Sequence, residues 1–166
     1  MIKKFLALLL CLSVTLVSCT SSSKKSDEDQ TAVVGKNDLP AMKLTFVDGK
    51  ETSAKKLDGK SILILFQPDC DHCQREAQDI AGHLDSFNNY TLYFISSAPL
   101  EQISKFSVDY GLQDRANVSF AQTTVDDVLN TFGSIPTPSI YIYSSEKQLV
   151  KAFNGEVSIA EVIKEL

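Results

Sequence analysis

Five consecutive large apolar residues, Ile62-Leu63-Ile64-Leu65-Phe66, stand just ahead of a cysteine pair, Cys70-Asp71-His72-Cys73. A run of this kind predicts a strand over residues 61–67 covered on both faces, because a strand with one face in water would alternate. From Asp71 to Phe87 the apolar positions Cys73, Ala77, Ile80, Ala81, Leu84 and Phe87 recur three and four residues apart, which predicts an amphipathic helix. Strand, short loop and helix thus form one unit with both thiols at its junction, and burying such a strand requires an α/β domain.

The rest of the chain continues the alternation. Residues 91–95 predict a second buried strand, 101–112 a helix with Gly111 near its end, and 124–132 a short helix closed by Gly133. That order implies a parallel pair joined by a right-handed crossover. Upstream, Leu44–Val47 and Lys50–Ser53 flank Asp48-Gly49 in the form of an edge hairpin with a two-residue turn. Downstream, 139–143 and 148–153 predict an antiparallel hairpin whose strands alternate inward and outward. Ser158 with Glu161 has the form of a capping box for a last helix. The expected sheet is mixed, and the chain carries no internal repeat.

With 166 residues, 43% of them hydrophobic, there is material for one core and not two. The formal charge of −5 lacks the basic footprint that phosphate backbones demand, so nucleic acid is not an expected partner. Lys3-Lys4 followed by an apolar run from Phe5 to Val17 is too short to span a bilayer permanently and has the form of a secretory signal. Its end, Leu16-Val17-Ser18-Cys19, resembles the lipobox of bacterial lipoproteins, which implies removal of residues 1–18, Cys11 among them, and acylation of Cys19. Loss of Lys3 and Lys4 would take the formal charge to −7. Residues 19–31 then form the lipidated cysteine and a polar tether, and 32–166 the folded domain. The expected location is the cell envelope, facing the periplasm. Thr20, which is not acidic, favours the outer membrane.

Once Cys19 and Cys11 are set aside, Cys70 and Cys73 are the remaining thiols. A helix N-terminus favours an anion, which makes Cys70 the expected nucleophile. Cys73, one turn deeper, is placed to close a small disulfide ring and to release whatever Cys70 has captured. Asp69 and Asp71 oppose negative charge at Cys70, whereas a protonated His72 favours it. Glu76, four residues after His72, could hold that imidazole cationic, or be only a solvated helix residue. His83, eleven residues along the helix, is expected to be structural or merely exposed. A structural zinc site needs about four ligands, and only two are at hand, so no metal or other cofactor is expected. A purely structural disulfide would constrain little chain.

The segment Phe66-Gln67-Pro68-Asp69-Cys70-Asp71-His72-Cys73-Gln74-Arg75-Glu76 resembles the active-site segment of thioredoxin-like proteins, above all the membrane-tethered TlpA and ResA group of extracytoplasmic oxidoreductases. The resemblance covers about residues 33–166 and includes Leu57-Asp58-Gly59-Lys60 and the hairpin at Asp48-Gly49. It implies a thioredoxin-like fold: a central mixed sheet flanked by helices, with an N-terminal β-hairpin and an inserted helix. It also implies a cis-proline facing the cysteines and a preceding residue whose backbone pairs with extended substrate. Phe132-Gly133 followed by Thr137-Pro138 and the strand pattern from Ser139 matches the family's spacing, so Thr137 and Pro138 are the candidates, with Pro136 as the other choice. Two departures stand out: Pro68-Asp69 replaces the usual aromatic residue before the first cysteine, and Ile64 stands where many thioredoxins carry a buried carboxylate. Deprotonation of Cys73 would then rely on water, Glu76 or the substrate.

The resemblance implies an extracytoplasmic, membrane-anchored thiol:disulfide oxidoreductase acting on protein thiols and disulfides. Reduction is the favoured direction, with a membrane protein supplying or accepting electrons and the lipid anchor holding the chain at the membrane. A peroxidase of the peroxiredoxin type would need Thr or Ser three residues before its cysteine, where Gln67 stands. A redox-inactive binding module and a metal-delivery protein remain as alternatives.

Overall fold

The computed structural model describes residues 38–166. The expected signal segment, Cys19, the tether and residues 32–37 of the expected domain lie outside the described residues.

The described chain runs β1 (Lys43–Phe46), β2 (Glu51–Ser53), β3 (Ser61–Leu65), α1 (Asp71–Gly82), β4 (Thr91–Ser96), α2 (Leu100–Asp109), β5 (Val118–Gln122), α3 (Val125–Phe132), β6 (Ser139–Tyr143), β7 (Leu149–Asn154) and α4 (Ile159–Ile163). Among the described residues the strands form one sheet in the order β2-β1-β5-β4-β3-β6-β7. The central β3, β4 and β5 are parallel, while β6, β7, β1 and β2 join antiparallel. The mixed sheet with helices on it is the expected thioredoxin-like fold.

The period of two along β3 divides its side chains between two cores. Ile62 and Ile64 point, with Phe66 beyond them, into a cluster built with Cys73, Ala77 and Ile80 of α1, Ile103 and Phe106 of α2, and Val162 of α4. Leu63 and Leu65 point the other way, into a cluster with Met42, Leu44, Tyr93 and Tyr141, against which Val128 and Phe132 of α3 pack. Every residue of β3 is buried, as a strand covered on both faces must be. Phe66 anchors the end of the strand among Phe94, Phe106 and Phe120, with ring centroids 5.8, 4.6 and 6.3 Å away. Such rings contribute beyond the area they remove from water.

Several sequence expectations are corrected here. The first hairpin turns through three residues: Phe46 N–H donates to Lys50 O, Gly49 N–H to Phe46 O, and Gly49 takes φ +83°, the position that closes a three-residue turn with a bulge. The long helix stops at Gly82, the weakest helix former in its last turn, and the apolar pattern finishes as a 3-10 turn over Leu84–Phe87. β5 lies where the sequence pattern predicts no strand. β6 does not alternate between core and water. Its five residues are all buried, Ile140 and Ile142 in one cluster and Tyr141 and Tyr143 in the other. Ser158 is the N-cap of α4, but its hydroxyl makes no capping bond, and the turn closes instead through Glu161 N–H to Ser158 O.

Candidate active site

The C-terminal end of β3 and the N-terminal end of β6 lie side by side because Leu65 pairs with Ser139 in an antiparallel ladder. The loop Gln67-Pro68-Asp69 leaves β3 and is fastened from three directions. Ser96 Oγ donates to Gln67 Oε1 at 3.1 Å, Gln67 Nε2 donates to Ser97 Oγ at 3.0 Å, and Gln74 Nε2 donates back to Pro68 O at 2.9 Å. Cys70 N–H then donates to Gln67 O at 3.1 Å, which turns the chain into α1. Cys70 is the N-cap of that helix, in an extended conformation, and its sulfur accepts from Cys73 N–H at 3.4 Å. A helix N-terminus presents unsatisfied donors, so this sulfur occupies the place where an anion is best received.

The two thiols differ in access. Both are free; Cys70 is half-buried and Cys73 is 2% exposed. Burial, first, and the hydrogen bond with Cys70, second, push the Cys73 thiol up to about 12, against a smaller opposing pull from the Gln67 backbone amide. The outer sulfur therefore meets solvent and the inner one is kept protonated. Across from them the Thr137–Pro138 peptide bond is cis, and the Cys70 thiol donates to Thr137 O at 3.6 Å. Among the described residues no other peptide bond is cis, which selects Pro138 over Pro136. Pro138 is buried, and its carbonyl accepts from Gly155 N–H at 2.9 Å, drawing the loop after β7 against the same corner.

That loop changes the reading of His72. Glu156 takes a two-pronged bond from Arg75, Nε to Oε1 at 2.8 Å and Nη2 to Oε2 at 2.9 Å, and His72 Nδ1 donates to the same Oε2. Arg75 Nη2 and His72 Nδ1 lie 2.7 Å apart because both aim at one oxygen. Side-chain bonds from Arg75, first, and His72, second, hold the Glu156 carboxyl down at about 2. Asp71 is exposed in the first turn of α1 and its charge reaches Arg75.

Glu76 neither pairs with His72 nor stands in solvent, which corrects both sequence readings of it. It lies in the buried stripe of α1 with Cys73, Ala77 and Ile80, and is 3% exposed. The i,i+4 spacing fails as a pairing because the two side chains diverge: His72 stays at the surface and Glu76 turns into the core. Neither carboxyl oxygen completes a hydrogen bond. Desolvation, with the Val157 backbone amide only partly opposing it, pushes this carboxyl up to about 8. His83 caps the end of α1, exposed, with Nδ1 donating to Asp79 O at 2.8 Å. Arg75, Glu156 and Gln67 are the site residues that sequence reasoning left without a role. Among the described residues no group of three or more His, Cys, Asp or Glu side chains is placed to hold a metal ion.

The sequence model of the family described as AhpC/TSA matches residues 36–152. The chain belongs to the AhpC/TSA family. Solved structures place this AhpC/TSA protein among thioredoxin-like folds. The structure of MTB DsbF in its mixed oxidised and reduced forms is 18% identical and superposes with a TM-score of 0.64, covering 79% of this chain and 96% of that one. A secreted Mycobacterium tuberculosis disulfide oxidoreductase described as homologous to Escherichia coli DsbE is 16% identical, with a TM-score of 0.63 and coverage of 75% and 93%. The copper-bound ScoI of Arabidopsis thaliana is 16% identical, with a TM-score of 0.60 and coverage of 80% and 97%. At these identities the likeness is one of fold. Comparison with curated protein sequences gives no significant match.

Proposed function

We propose that this AhpC/TSA-family protein is a thiol:disulfide oxidoreductase that reduces protein disulfides through Cys70 and Cys73. The observation that carries the reading is the pairing of an accessible thiol at a helix N-terminus with a buried thiol one turn below it, both beside the Thr137–Pro138 backbone. Cys70, as the thiolate, attacks one sulfur of a substrate disulfide, so that a mixed disulfide forms and the other substrate sulfur leaves as a thiolate that water protonates. Cys73 then attacks the Cys70 sulfur, releasing the second substrate thiol and closing the Cys70–Cys73 disulfide. Two electrons pass to the substrate. The Cys73 proton must leave for that step, and it passes, directly or through water, to the departing substrate sulfur, because Glu76 one turn further along, its carboxyl pushed up to about 8, is itself largely protonated at neutral pH. Thr137 offers its backbone to an extended substrate strand, the mode by which a sheet edge adds a peptide.

The same reading places the chain outside the cytoplasm, tethered through Cys19, with a membrane electron-donor protein returning the pair to the dithiol. Gln67, three residues before Cys70, has its amide held by Ser96 and Ser97 and offers no hydroxyl for peroxide chemistry. The test is insulin reduction coupled to trapping: wild type should reduce insulin disulfides, and Cys73→Ala should accumulate mixed disulfides that Cys70→Ala does not. Absence of both turnover and trapped partners would overturn the enzyme reading in favour of a binding module. Copper or zinc retained by the reduced protein after desalting would favour metal delivery instead.

A further inference from the structure

We infer that Glu156 is a positioning residue that sets the reduction potential of the Cys70–Cys73 pair by neutralising the Arg75 guanidinium beside the redox motif. The inference deepens the thiol–disulfide reading above and rests on it. Arg75 and His72 both come from the first two turns of α1, and both are drawn onto one carboxylate that arrives from the loop between β7 and α4, about eighty residues away. The loop is not free to withdraw. Gly155 N–H is bonded to Pro138 O, so the residue before Glu156 is fixed to the cis-proline beside the thiols.

The charges around Cys70 can be named. Asp69 and Asp71 flank it in sequence, and the Arg75 guanidinium is close enough to feel both Asp71 and Cys70. Glu156 in turn acts on Glu76 beneath. A cation beside Cys70 favours its thiolate, a species that exists only in the reduced form, and so makes the disulfide easier to reduce and the protein more oxidising. Glu156 opposes this by its two-pronged pairing with the Arg75 guanidinium. With the carboxylate in place the pair is held toward the reducing side, the direction proposed above.

The sign is open to direct measurement in glutathione redox buffers at pH 7 and low salt. Glu156→Gln leaves the Arg75 guanidinium uncompensated, and the equilibrium constant should move toward the dithiol by at least about threefold, about 14 mV more positive at about 29.6 mV per tenfold. Glu156→Asp, which keeps the charge, should stay nearer wild type. Removing the guanidinium as well, in Arg75→Gln with Glu156→Gln, should cancel half or more of the shift, and about 1 M salt should shrink it. If Glu156 only fastens its loop, Glu156→Gln will lower the thermal midpoint and leave the constant unchanged, which overturns the inference. A wild-type pair that cannot be cycled at all would remove the oxidoreductase reading itself, a different failure from a cycling wild type whose constant Glu156→Gln does not alter.

Discussion

The Cys70 thiol and the Thr137 carbonyl oxygen stand 3.6 Å apart although 67 residues separate them in the chain. The β3–β6 ladder enforces the meeting, since Leu65 and Ser139 are paired at the last rung before each segment departs. A thiol can donate to that carbonyl and a thiolate cannot. Ionisation of Cys70 therefore frees the oxygen, which on the proposed reading is then open to an extended substrate strand.

Alkylation should separate the two sulfurs. Cys73 is 2% exposed and its thiol is pushed up to about 12, so almost none of it is thiolate at neutral pH. Brief iodoacetamide treatment of the native reduced protein at pH 7.5 or so, followed by peptide mapping, should label Cys70 while leaving Cys73 unmodified. Unfolding should expose both. Equal labelling of the pair in the native state would contradict the burial that the resolving step depends on.

Glu76 makes stability depend on pH in a direction opposite to that of a paired carboxylate. Its folded value, about 8, lies above the ordinary 4.5, so between those values the native state binds more protons than the unfolded chain. Stability is therefore lost as pH rises from about 5 to 8, with a slope bounded by about 1.4 kcal/mol per unit. Glu76→Gln keeps the shape and removes the titration. Urea midpoints of the reduced protein should fall across that range for wild type and flatten for the variant, and parallel curves for the two proteins would refute the assignment.

Two glycines should respond oppositely to alanine. Gly133 ends α3 at φ +74° and ψ −158°, a conformation open in practice to glycine alone, and nothing lies within 4 Å of an added Cβ. Gly133→Ala should cost about 1–3 kcal/mol through the backbone alone and slow insulin reduction, because the residues that follow lead to Thr137. Gly82 lies in the last turn of α1 with equally open space and no positive φ, so Gly82→Ala should stabilise by about 0.4–1 kcal/mol. Chemical denaturation of both variants checks the pair.

The parts of the fold that were legible in the sequence are those whose own side chains declare their burial. Ile62 to Phe66 announce β3, and the three-and-four spacing from Cys73 to Ile80 announces α1. β5 was not legible because Val118-Ser119-Phe120-Ala121-Gln122 holds a single large apolar side chain that is fully enclosed, Phe120, and owes its place to the β4 and β1 ladders on either side. At the site, the cysteine pair and Pro138 were readable from spacing, as was the position of Thr137. Glu156 was not. Nothing near Asn154-Gly155 signals that this loop returns to α1, and helix spacing offered Glu76 as the partner of His72, although the apolar stripe running through Cys73 and Ala77 was already turning Glu76 inward.

The ladder between β3 and β6 also has a consequence for how this scaffold can vary. Cys70 meets Thr137 across one rung, Leu65 with Ser139, which β3 and β6 close without the exposed face of α3. The outward face of α3, with its exposed Val125 and Leu129, could therefore be recoloured without moving Cys70 relative to Thr137. On the proposed reading, that face can change what it presents to a client protein while the two sulfurs and Thr137 keep their places.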